Sequence, residues 1–344
     1  MVAGTTAAGI ICVAEKPKLL VLELWGLGDL VIATPFLRAA SEKFTVTLLA
    51  KPYALELRPR FWPAVQVFPF IAPWTAFHGK YYLWRWPWRE MVELRRRLLG
   101  EKFDCAVSAR WDPRNHFVMK LSGARERLGF PRLKSQRLLT RPLVHPGPLA
   151  HSGEFWRTAG RVLGLDLAAG NETLSPRCSG QSFALIHSGA RLPVRVWPLK
   201  NFHDLATRLR GKNIPVQIVC DPDQLAWWQR NGEQPICPRD VPSLLTVVER
   251  AGIFIGNDSG PGHLAAVCGV PTFTIFGPQL AEWFAPLSPA AEAFDGKACP
   301  YKPCSDSCRF ARPFCLEDIK VDEVWARVEK FAEKYLSPTL PTPA

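Results

Sequence analysis

The sequence predicts an α/β protein made of two doubly wound domains that face each other across a cleft. Three observations support this fold class. Short apolar runs alternate with amphipathic segments in both halves, the pattern restarts after a stretch rich in Pro, Gly and Ser, and 344 residues suit two domains. Apolar runs separated by helical segments are typical of parallel sheets with helices on both faces.

The elements of the first half follow one another in the order strand, helix, strand. The predicted strands are residues 18–24, 45–50, 65–70 and 104–109. The predicted helices are residues 28–44 and 89–103, with a further helix and a return to the sheet within residues 112–130. An aromatic and basic insertion, residues 73–89, separates two of these units.

The second half repeats the pattern after a helix at residues 154–165 and a linker near residues 168–182. We therefore place the first domain at residues 1–175 and the second at residues 176–344. The predicted strands are residues 183–189, 216–220, 253–258 and 272–278, and the predicted helices are residues 199–212, 242–251, 260–269 and 321–336. Ligands of such sheets bind beyond the carboxyl ends of the strands, so the expected site is the cleft between the domains.

The amino-acid composition indicates anionic binding partners but does not identify a single one. The formal net charge is +12, from 43 Lys and Arg against 31 Asp and Glu, which favours anionic partners such as nucleotides, phosphorylated sugars, nucleic acid or a negatively charged leaflet. No uncharged apolar run is long enough to span a membrane, and no basic residue precedes the apolar start, so we expect a cytoplasmic protein with mostly free thiols.

The first glycine turn, GLGDLV, lies where a nucleotide-binding protein has its phosphate loop. Gly26 and Gly28 fit the fingerprint G-x-G-x-x-G/A, but Val31 stands at the third glycine position. Asp29 would also repel a diphosphate at the N-terminus of the following helix. The turn therefore argues against a dinucleotide site, and the role of its carboxylate has to be explained.

Two interpretations of Asp29 follow from the residues alone. It can act as an N-cap that accepts amide hydrogen bonds, or as a general base that is accessible in the cleft because glycines flank it, and the two roles are compatible. Amides at the helix end lower a carboxylate's pKa and weaken it as a base, whereas burial on closure raises the pKa. Both interpretations remain open at this point.

The stretch from Ile253 to Pro278 is more specific. A strand ends at Asp258 and Ser259, and a helix starts within the turn from Gly260 through Gly262 to His263. Outward-facing amides at a helix N-terminus, together with the histidine, form an anion site for the diphosphate of a nucleotide sugar. The alternative is that the acid and the hydroxyl only cap the helix and the histidine is a buried core residue.

A third stretch, residues 186–209, places a basic loop after a strand. The strand ends in His187-Ser188-Gly189-Ala190, and small residues such as Gly189 at the strand end would let a diphosphate approach the backbone. Arg191 and Arg195 can neutralise that diphosphate. An ordinary surface loop with solvated arginines is the alternative.

Together these stretches resemble glycosyltransferase family 9, the ADP-heptose:lipopolysaccharide heptosyltransferases. Residues 26–39 are similar to the family's S-x-G-D-x-x-x-x-x-P-x-L motif, and residues 187–198 to its H-x-G/T…K/R-x-W-P segment. Residues 256–278 resemble its D-T/S-G-x-x-H-L-A-A…P-x-x-x-L-F-G-P segment, and the resemblance spans about residues 18–325.

The resemblance implies a GT-B fold of two Rossmann-like domains and an inverting transferase that needs no metal and no cofactor. It makes Asp29 the base that deprotonates the acceptor hydroxyl, with Trp25, Gly26 and Gly28 on the acceptor side. Trp25 stands where the family usually has a small residue, so we expect a reshaped acceptor side. The residues that then fall on the donor side are His187, Gly189, Arg191, Arg195, Asp258, Ser259, Gly260, Gly262 and His263.

The implied partners are an ADP-heptose donor and a lipid-linked glycan acceptor, with peripheral contact to the inner membrane face and no nucleic acid. The rival functions are a nucleotide-sugar epimerase of the same architecture, an NAD-dependent oxidoreductase and a non-catalytic nucleotide-sugar or nucleic-acid binding protein. The missing third glycine disfavours the oxidoreductase. An epimerase would consume the nucleotide sugar without an acceptor.

Two further features carry weaker signals. Cys299, Cys304, Cys308 and Cys315 lie in one loop without a C-x2-C knuckle, so thiols or disulfides are favoured over a metal site. The aromatic insertion fits a loop folded on its own domain or a membrane contact, and single-stranded nucleic acid is a third, less favoured interpretation.

Overall fold

The computed structural model describes residues 15–76, 82–167, 183–304 and 307–336. It contains two parallel sheets covered by helices, which confirms the predicted α/β class. We call residues 15–76 and 82–167 the N-terminal lobe, and residues 183–304 and 307–336 the C-terminal lobe. The predicted linker, and with it the boundary between residues 175 and 176, lies outside these ranges, so the division into domains stays a prediction.

The N-terminal lobe is built on a six-stranded parallel sheet. Its strands are β1 Lys18–Glu23, β2 Thr45–Ala50, β3 Gln66–Pro69, β4 Cys105–Ser108, β5 Glu126–Gly129 and β6 Arg141–Pro142. Their order across the sheet is β3-β2-β1-β4-β5-β6. The strand order thus reverses between β1 and β4, which is where ligands of doubly wound sheets bind.

The helices of this lobe connect its strands and cover the sheet. They are α1 Leu27–Ile32, α2 Thr34–Lys43, α3 Ala54–Phe61, α4 Trp88–Glu101, α5 Pro113–Leu121 and α6 Ser152–Val162. Short 3-10 helices span Pro73–Thr75, Leu83–Arg85 and Ser135–Leu138.

The prediction of one continuous helix over residues 28–44 is wrong. The chain forms α1 and α2 instead, with Ala33 between them and Pro35 in the first turn of α2. Proline has no N–H to donate and its ring clashes with the carbonyl one turn earlier, so it starts a helix more easily than it continues one.

The C-terminal lobe repeats this architecture around a five-stranded parallel sheet. Its strands are β7 Ala184–His187, β8 Val216–Val219, β9 Ile253–Asn257, β10 Thr272–Phe276 and β11 Ala291–Asp295, in the order β11-β10-β9-β7-β8. Its helices are α7 Leu199–Gly211, α8 Leu225–Arg230, α9 Val241–Arg250, α10 Gly260–Val267, α11 Ala281–Phe284, α12 Phe314–Glu317 and α13 Val321–Tyr335. The strand order reverses between β7 and β9.

Both sheets are buried on their two faces, as the apolar strands require. Leu19 and Val21 of β1 pack into one hydrophobic cluster, and the alternate residues Leu20 and Leu22 pack into another. Within the residues that the structure describes, no helix is long and apolar enough to cross a membrane.

The lobes meet behind the cleft. Helix α1 packs against α10, and α3 packs against α9, where Arg60 and Glu249 form an ion pair of 2.7 Å. The helices that follow the two switch-point strands, β1 and β9, are therefore in direct contact across the lobes.

Candidate functional site

The turn between β1 and α1 positions Asp29. Gly26 is the N-cap of α1 and Asp29 lies three residues later, within the first turn. Its Oδ2 accepts a hydrogen bond of 3.0 Å from the amide N–H of Gly26. The carboxylate thus accepts a capping hydrogen bond but is not the N-cap residue, which corrects that interpretation in detail.

Arg110, which follows β4, holds the other oxygen of this carboxylate. Its Nη2 donates to Asp29 Oδ1, and both side chains are largely shielded from solvent. The Arg110 guanidinium also lies 5.3 Å from the centroid of the Trp25 ring. The charge-assisted hydrogen bond fixes the orientation of the Asp29 carboxylate at the switch point.

Two further titratable groups lie beside this pair. Glu23 at the end of β1 is buried, and desolvation raises the pKa of its carboxyl to about 7 against the opposing effect of Arg110. Burial lowers the pKa of Lys51, which follows β2, to about 8, and the positive charge of Arg191 adds to that effect. Near neutral pH, Glu23 is therefore partly protonated and Lys51 remains mostly cationic.

On the opposite lobe, Asp258 directly follows β9, and Ser259 is the N-cap of α10. The Ser259 side chain makes no capping hydrogen bond, and its buried Oγ has no partner among the described residues. Arg195 Nη1 donates to Asp258 Oδ2 at 3.3 Å. Burial raises the pKa of Asp258 to about 6, and Arg195 opposes that rise. Since the serine oxygen does not cap the helix, the turn fits a ligand site better than a capping role.

His263 lies in the first turn of α10 and is buried against the other lobe. Desolvation lowers its pKa to about 4, so the imidazole is neutral at pH 7 and can take part in hydrogen bonds without adding positive charge. A methyl group placed on Gly28 would lie 2.7 Å from His263 Cδ2, and one on Gly260 would lie 2.8 Å from Leu27 Cβ. These two glycines allow the N-termini of α1 and α10 to pack face to face, whereas Gly262 has ordinary space around it.

The side chain of Asn257, the last residue of β9, holds the basic loop that follows β7. The Asn257 Nδ2 donates to Ser188 O at 2.8 Å, and the Asn257 Oδ1 accepts from the amide of Trp197 at 2.9 Å. Trp197 is fully buried, and its Nε1 donates to Ile319 O at 3.1 Å. The tryptophan of the Trp-Pro pair thus anchors the loop that carries Arg195.

Other residues of this loop contact neighbouring elements. Burial lowers the pKa of His187, so its ring is neutral at pH 7. The space that Gly189 leaves is occupied by the Asp221 side chain, whose Oδ2 lies 2.3 Å from where a Cβ on Gly189 would be. Arg191 Nη2 reaches across to the other lobe and donates to Thr75 O at 3.4 Å.

These turns line one cleft of about 690 Å³ between the lobes. Its wall includes Asp29, Lys51 and Arg110 from the N-terminal lobe, and His187, Arg191, Arg195, Asp258, Ser259, Gly260 and His263 from the C-terminal lobe. A smaller pocket of about 120 Å³ adjoins it, and Asp29 and Arg110 line both spaces. Asp29 therefore lies at the junction between a large cleft and a side pocket.

The side pocket is mostly aromatic. Trp111, Phe155, Trp156, Trp283 and Phe284 contribute to its wall, and the buried Nε2 of His145 has no hydrogen-bond partner among the described residues. Flat aromatic faces with a few polar groups are typical of small-molecule sites.

The loop with four cysteines contains free thiols. Cys299, Cys304, Cys308 and Cys315 are free thiols in the structure, and burial raises the pKa of Cys304 and Cys315. Across the described parts of the chain, no group of three or more His, Cys, Asp or Glu side chains could hold a metal ion.

Sequence reasoning missed Arg110, Lys51 and Glu23. Arg110 and Lys51 each follow a strand that neighbours β1, and Glu23 ends β1 itself. The rule that ligands gather at the carboxyl ends of parallel strands would have singled them out. These three residues lie near Asp29 because of the order of the strands in the sheet, and the sequence pattern alone does not predict that order.

Comparisons with known proteins agree with this architecture. Residues 157–312 match the sequence model of Glycosyltransferase family 9 (heptosyltransferase). No curated protein sequence matches the chain.

Several solved structures share the fold over nearly the whole chain. The E. coli heptosyltransferase WaaC with ADP superposes with a TM-score of 0.70 at 16% identity, covering 91% of this chain and 99% of that one. The E. coli ADP-heptose lps heptosyltransferase II gives 0.66 at 16% identity, with 92% and 99% covered. A family 9 glycosyl transferase from Veillonella parvula gives 0.70 at 15% identity, with 93% and 98% covered.

The predicted GT-B fold is thereby confirmed, with Asp29 from one lobe and the Asp258–His263 turn from the other on a single cleft. The resemblance to glycosyltransferase family 9 is confirmed as well. The chain is a glycosyltransferase, and its residues 157–312 match the sequence model of glycosyltransferase family 9.

Proposed function

We propose that this glycosyltransferase moves a heptose from ADP-heptose onto a lipopolysaccharide-core or related lipid-linked glycan. Transfer inverts the anomeric centre, needs no metal ion, and takes place in the cytoplasm at the inner membrane face. One observation carries the proposal. A carboxylate on one lobe faces an amide-rich turn and a neighbouring arginine loop on the other, and all three line the same cleft.

Asp29 is the base in this proposal. It takes the proton of the acceptor hydroxyl while the acceptor oxygen forms a bond to the anomeric carbon. Hydrogen bonds from Arg110 and the Gly26 amide hold the carboxylate in place, and each carboxylate oxygen has a further lone pair for the incoming proton.

The leaving diphosphate is neutralised on the opposite side of the cleft. The bond between the anomeric carbon and the diphosphate oxygen breaks, and the negative charge that develops there needs stabilisation. Arg195, Arg191 and Lys51 line the cleft, and the first turn of α10 adds amides. These groups supply the charge that a metal ion provides in other transferases, and this supports the metal-independent part of the proposal.

ADP-heptose is supported by the neighbouring structures. WaaC was solved with ADP and with ADP-2-deoxy-2-fluoro heptose. In this chain, Asp221 at the end of β8 lines the cleft near His187, where its carboxylate can accept hydrogen bonds from ribose hydroxyls. His187 and His263, both neutral at pH 7, suit hydrogen bonds to the donor better than charge neutralisation.

The acceptor approaches through the side pocket in this proposal. Asp29 lies at the entrance of that pocket, and an aromatic wall can pack against the faces of a sugar ring. Trp25 forms part of the adjoining cleft wall, where the family usually has a small residue. The bulky ring is therefore expected to select the shape of the acceptor rather than that of the donor.

The test is Asp29→Asn, which keeps the size of the side chain and one oxygen that can accept the hydrogen bond from the Gly26 amide, while an NH2 group replaces the oxygen that accepts from Arg110. Transfer from ADP-heptose to heptose-deficient lipopolysaccharide should fall by about 10²–10⁴-fold, the usual contribution of a general base. The stabilisation of the folded protein by ADP-heptose should persist. Asp223→Asn, on the exposed surface, is the matched control and should keep full activity.

Unchanged turnover in Asp29→Asn would remove the base assignment. Consumption of ADP-heptose by the native protein without any acceptor would favour the epimerase instead. Stabilisation by NAD but by no nucleotide sugar would contradict the donor assignment.

A further inference from the structure

The aromatic insertion is divided between the core and the surface. Trp74 is buried, lines the cleft and packs against Trp86 with ring centroids 5.7 Å apart. Trp86 in turn lies 5.7 Å from Trp88. Three tryptophans therefore run in contact from the cleft to the surface. Within residues 73–76 and 82–89, the part of the insertion that the structure describes, only some of the side chains are folded onto the lobe.

The surface part is an aromatic patch that we define as Tyr82, Leu83, Trp84, Trp88, Val92 and Leu99. Trp84 is 74% exposed, although it stacks on Tyr82 at 5.0 Å. Trp88, Val92 and Leu99 follow the spacing i, i+4, i+11, which places them on one face of α4, and all three are exposed. An exposed aromatic and apolar face of this kind, interrupted by Arg95 between Val92 and Leu99, marks an interaction site.

The charges around the aromatic patch are mainly positive. Arg85, in the 3-10 helix before α4, and Arg89, Arg95 and Arg96 of α4 are all exposed. The three arginines of α4 lie within about 100° of Trp88 in the helical projection, and Arg96 is also paired to Glu93 at 2.8 Å. Glu90 and Glu101 fall on the opposite side of the helix. Tryptophan and tyrosine prefer the interface between water and lipid, and arginines beside them favour anionic headgroups.

We propose that the aromatic patch and its flanking arginines dock this protein on an anionic bilayer surface. Docking there would place the Trp74 side of the cleft next to the membrane. The role of the docked state in presenting a lipid-linked acceptor rests on the proposed function, whereas membrane binding itself does not.

The experiment is co-sedimentation of the full chain with sucrose-loaded vesicles. Vesicles of phosphatidylcholine alone are compared with vesicles that contain about 30 mol% phosphatidylglycerol, at low and high salt. We expect binding to the anionic vesicles at least tenfold tighter than to the neutral ones, and weakened by salt. Trp84→Ser combined with Trp88→Ser should weaken binding at least tenfold, as should Arg89→Gln combined with Arg95→Gln.

The matched control is Tyr301→Ser combined with Phe310→Ser, a pair of exposed aromatic residues on the other lobe. This control should sediment like the native chain. Val92→Glu, a single change on the exposed face of α4, keeps the test valid if the tryptophan variant does not fold.

Several results would overturn the proposal. They are no binding to either vesicle, equal binding to both, binding that the patch variants leave unchanged, and equal losses in the control. Tight binding of a single-stranded oligonucleotide through Trp84 and Trp88 without vesicle binding would assign the patch to nucleic acid. A dimer in size-exclusion chromatography that the tryptophan variant disperses, again without vesicle binding, would assign it to a second copy of the chain.

Discussion

For Glu23→Gln, the structure allows the change in the free energy of unfolding with pH to be worked out. Glu23 is 3% exposed, and its Oε1 accepts a hydrogen bond of 3.2 Å from the amide of Trp25. Glutamine has the same shape and can accept the same hydrogen bond, but it carries no charge at any pH. Comparing the two proteins therefore measures the free-energy cost of ionising a buried carboxyl group next to Asp29.

The sign and size of the effect follow from the pKa of Glu23. Burial raises this pKa from 4.5 to about 7, so the folded state binds the proton more tightly than the unfolded state. The stability that this proton contributes is fully present below pH 4.5 and is lost as the pH rises through about 7. At about 1.4 kcal/mol per pKa unit, the loss is about 3 kcal/mol in total.

We therefore expect Glu23→Gln to match the native protein near pH 5 and to be more stable at pH 8.5. The difference should grow by about 2–3 kcal/mol across that range. For a cooperative unit of 150–250 residues, this corresponds to a rise in Tm of about 4–12 °C at the higher pH.

The assay is the Tm of both proteins from pH 5 to pH 8.5, measured by calorimetry. Glu56→Gln replaces an exposed carboxyl on α3 and should show no pH-dependent difference from the native chain. A difference for Glu23→Gln that stays constant with pH, or a variant less stable than the native protein at pH 8.5, would refute the reasoning.

Two further predictions concern the C-terminal lobe and its contact with α1. Arg195→Gln removes the guanidinium that opposes burial of Asp258, so the pKa of Asp258 should rise above about 6 and the acidic limb of kcat/KM against pH should move up by about one unit. An acidic limb that does not move would show that the ionisation of Asp258 beside Arg195 does not control kcat/KM. Gly28→Ala places a methyl group 2.7 Å from the buried His263 ring and should cost about 1–3 kcal/mol in unfolding free energy, measured as a lower Tm. Gly262→Ala, where the nearest atom is 3.6 Å from the added carbon, is the control, and an equal loss there would contradict the explanation.

Most helices and strands could be predicted because they depend on local features of the sequence, namely the spacing of apolar residues and the positions of turn-forming residues. Strand β2 begins and ends at the predicted residues, and β7, β9 and α10 lie within one or two residues of theirs. Strand β11, Ala291–Asp295, was missed because a half-exposed edge strand need not be apolar. Helix α3 was missed because its sequence, ALELRPRF, is short, contains an internal proline and carries three charged residues.

The candidate site was predictable only where a motif carries it. Asp29 and the Asp258–His263 turn each follow a strand within a glycine-rich turn, and the structure brings both to one cleft. Arg110 and Lys51 are single basic residues without such a context. Their roles depend on β4 and β2 flanking β1, and this neighbourhood is set by long-range strand pairing.

The contact between α1 and α10 has a consequence for the chemistry. Gly28 and Gly260 let the two helices approach closely enough for groups on opposite lobes to affect each other's charge. The negative charge of Asp29 adds to the rise in the pKa of Asp258 and works against the fall in the pKa of His263. When Asp29 takes the proton of the acceptor in the proposed reaction, that influence disappears. The pKa of Asp258 then falls and its carboxylate stays ionised beside Arg195, so proton transfer on one lobe changes the electrostatics of the leaving-group side without any movement of the backbone.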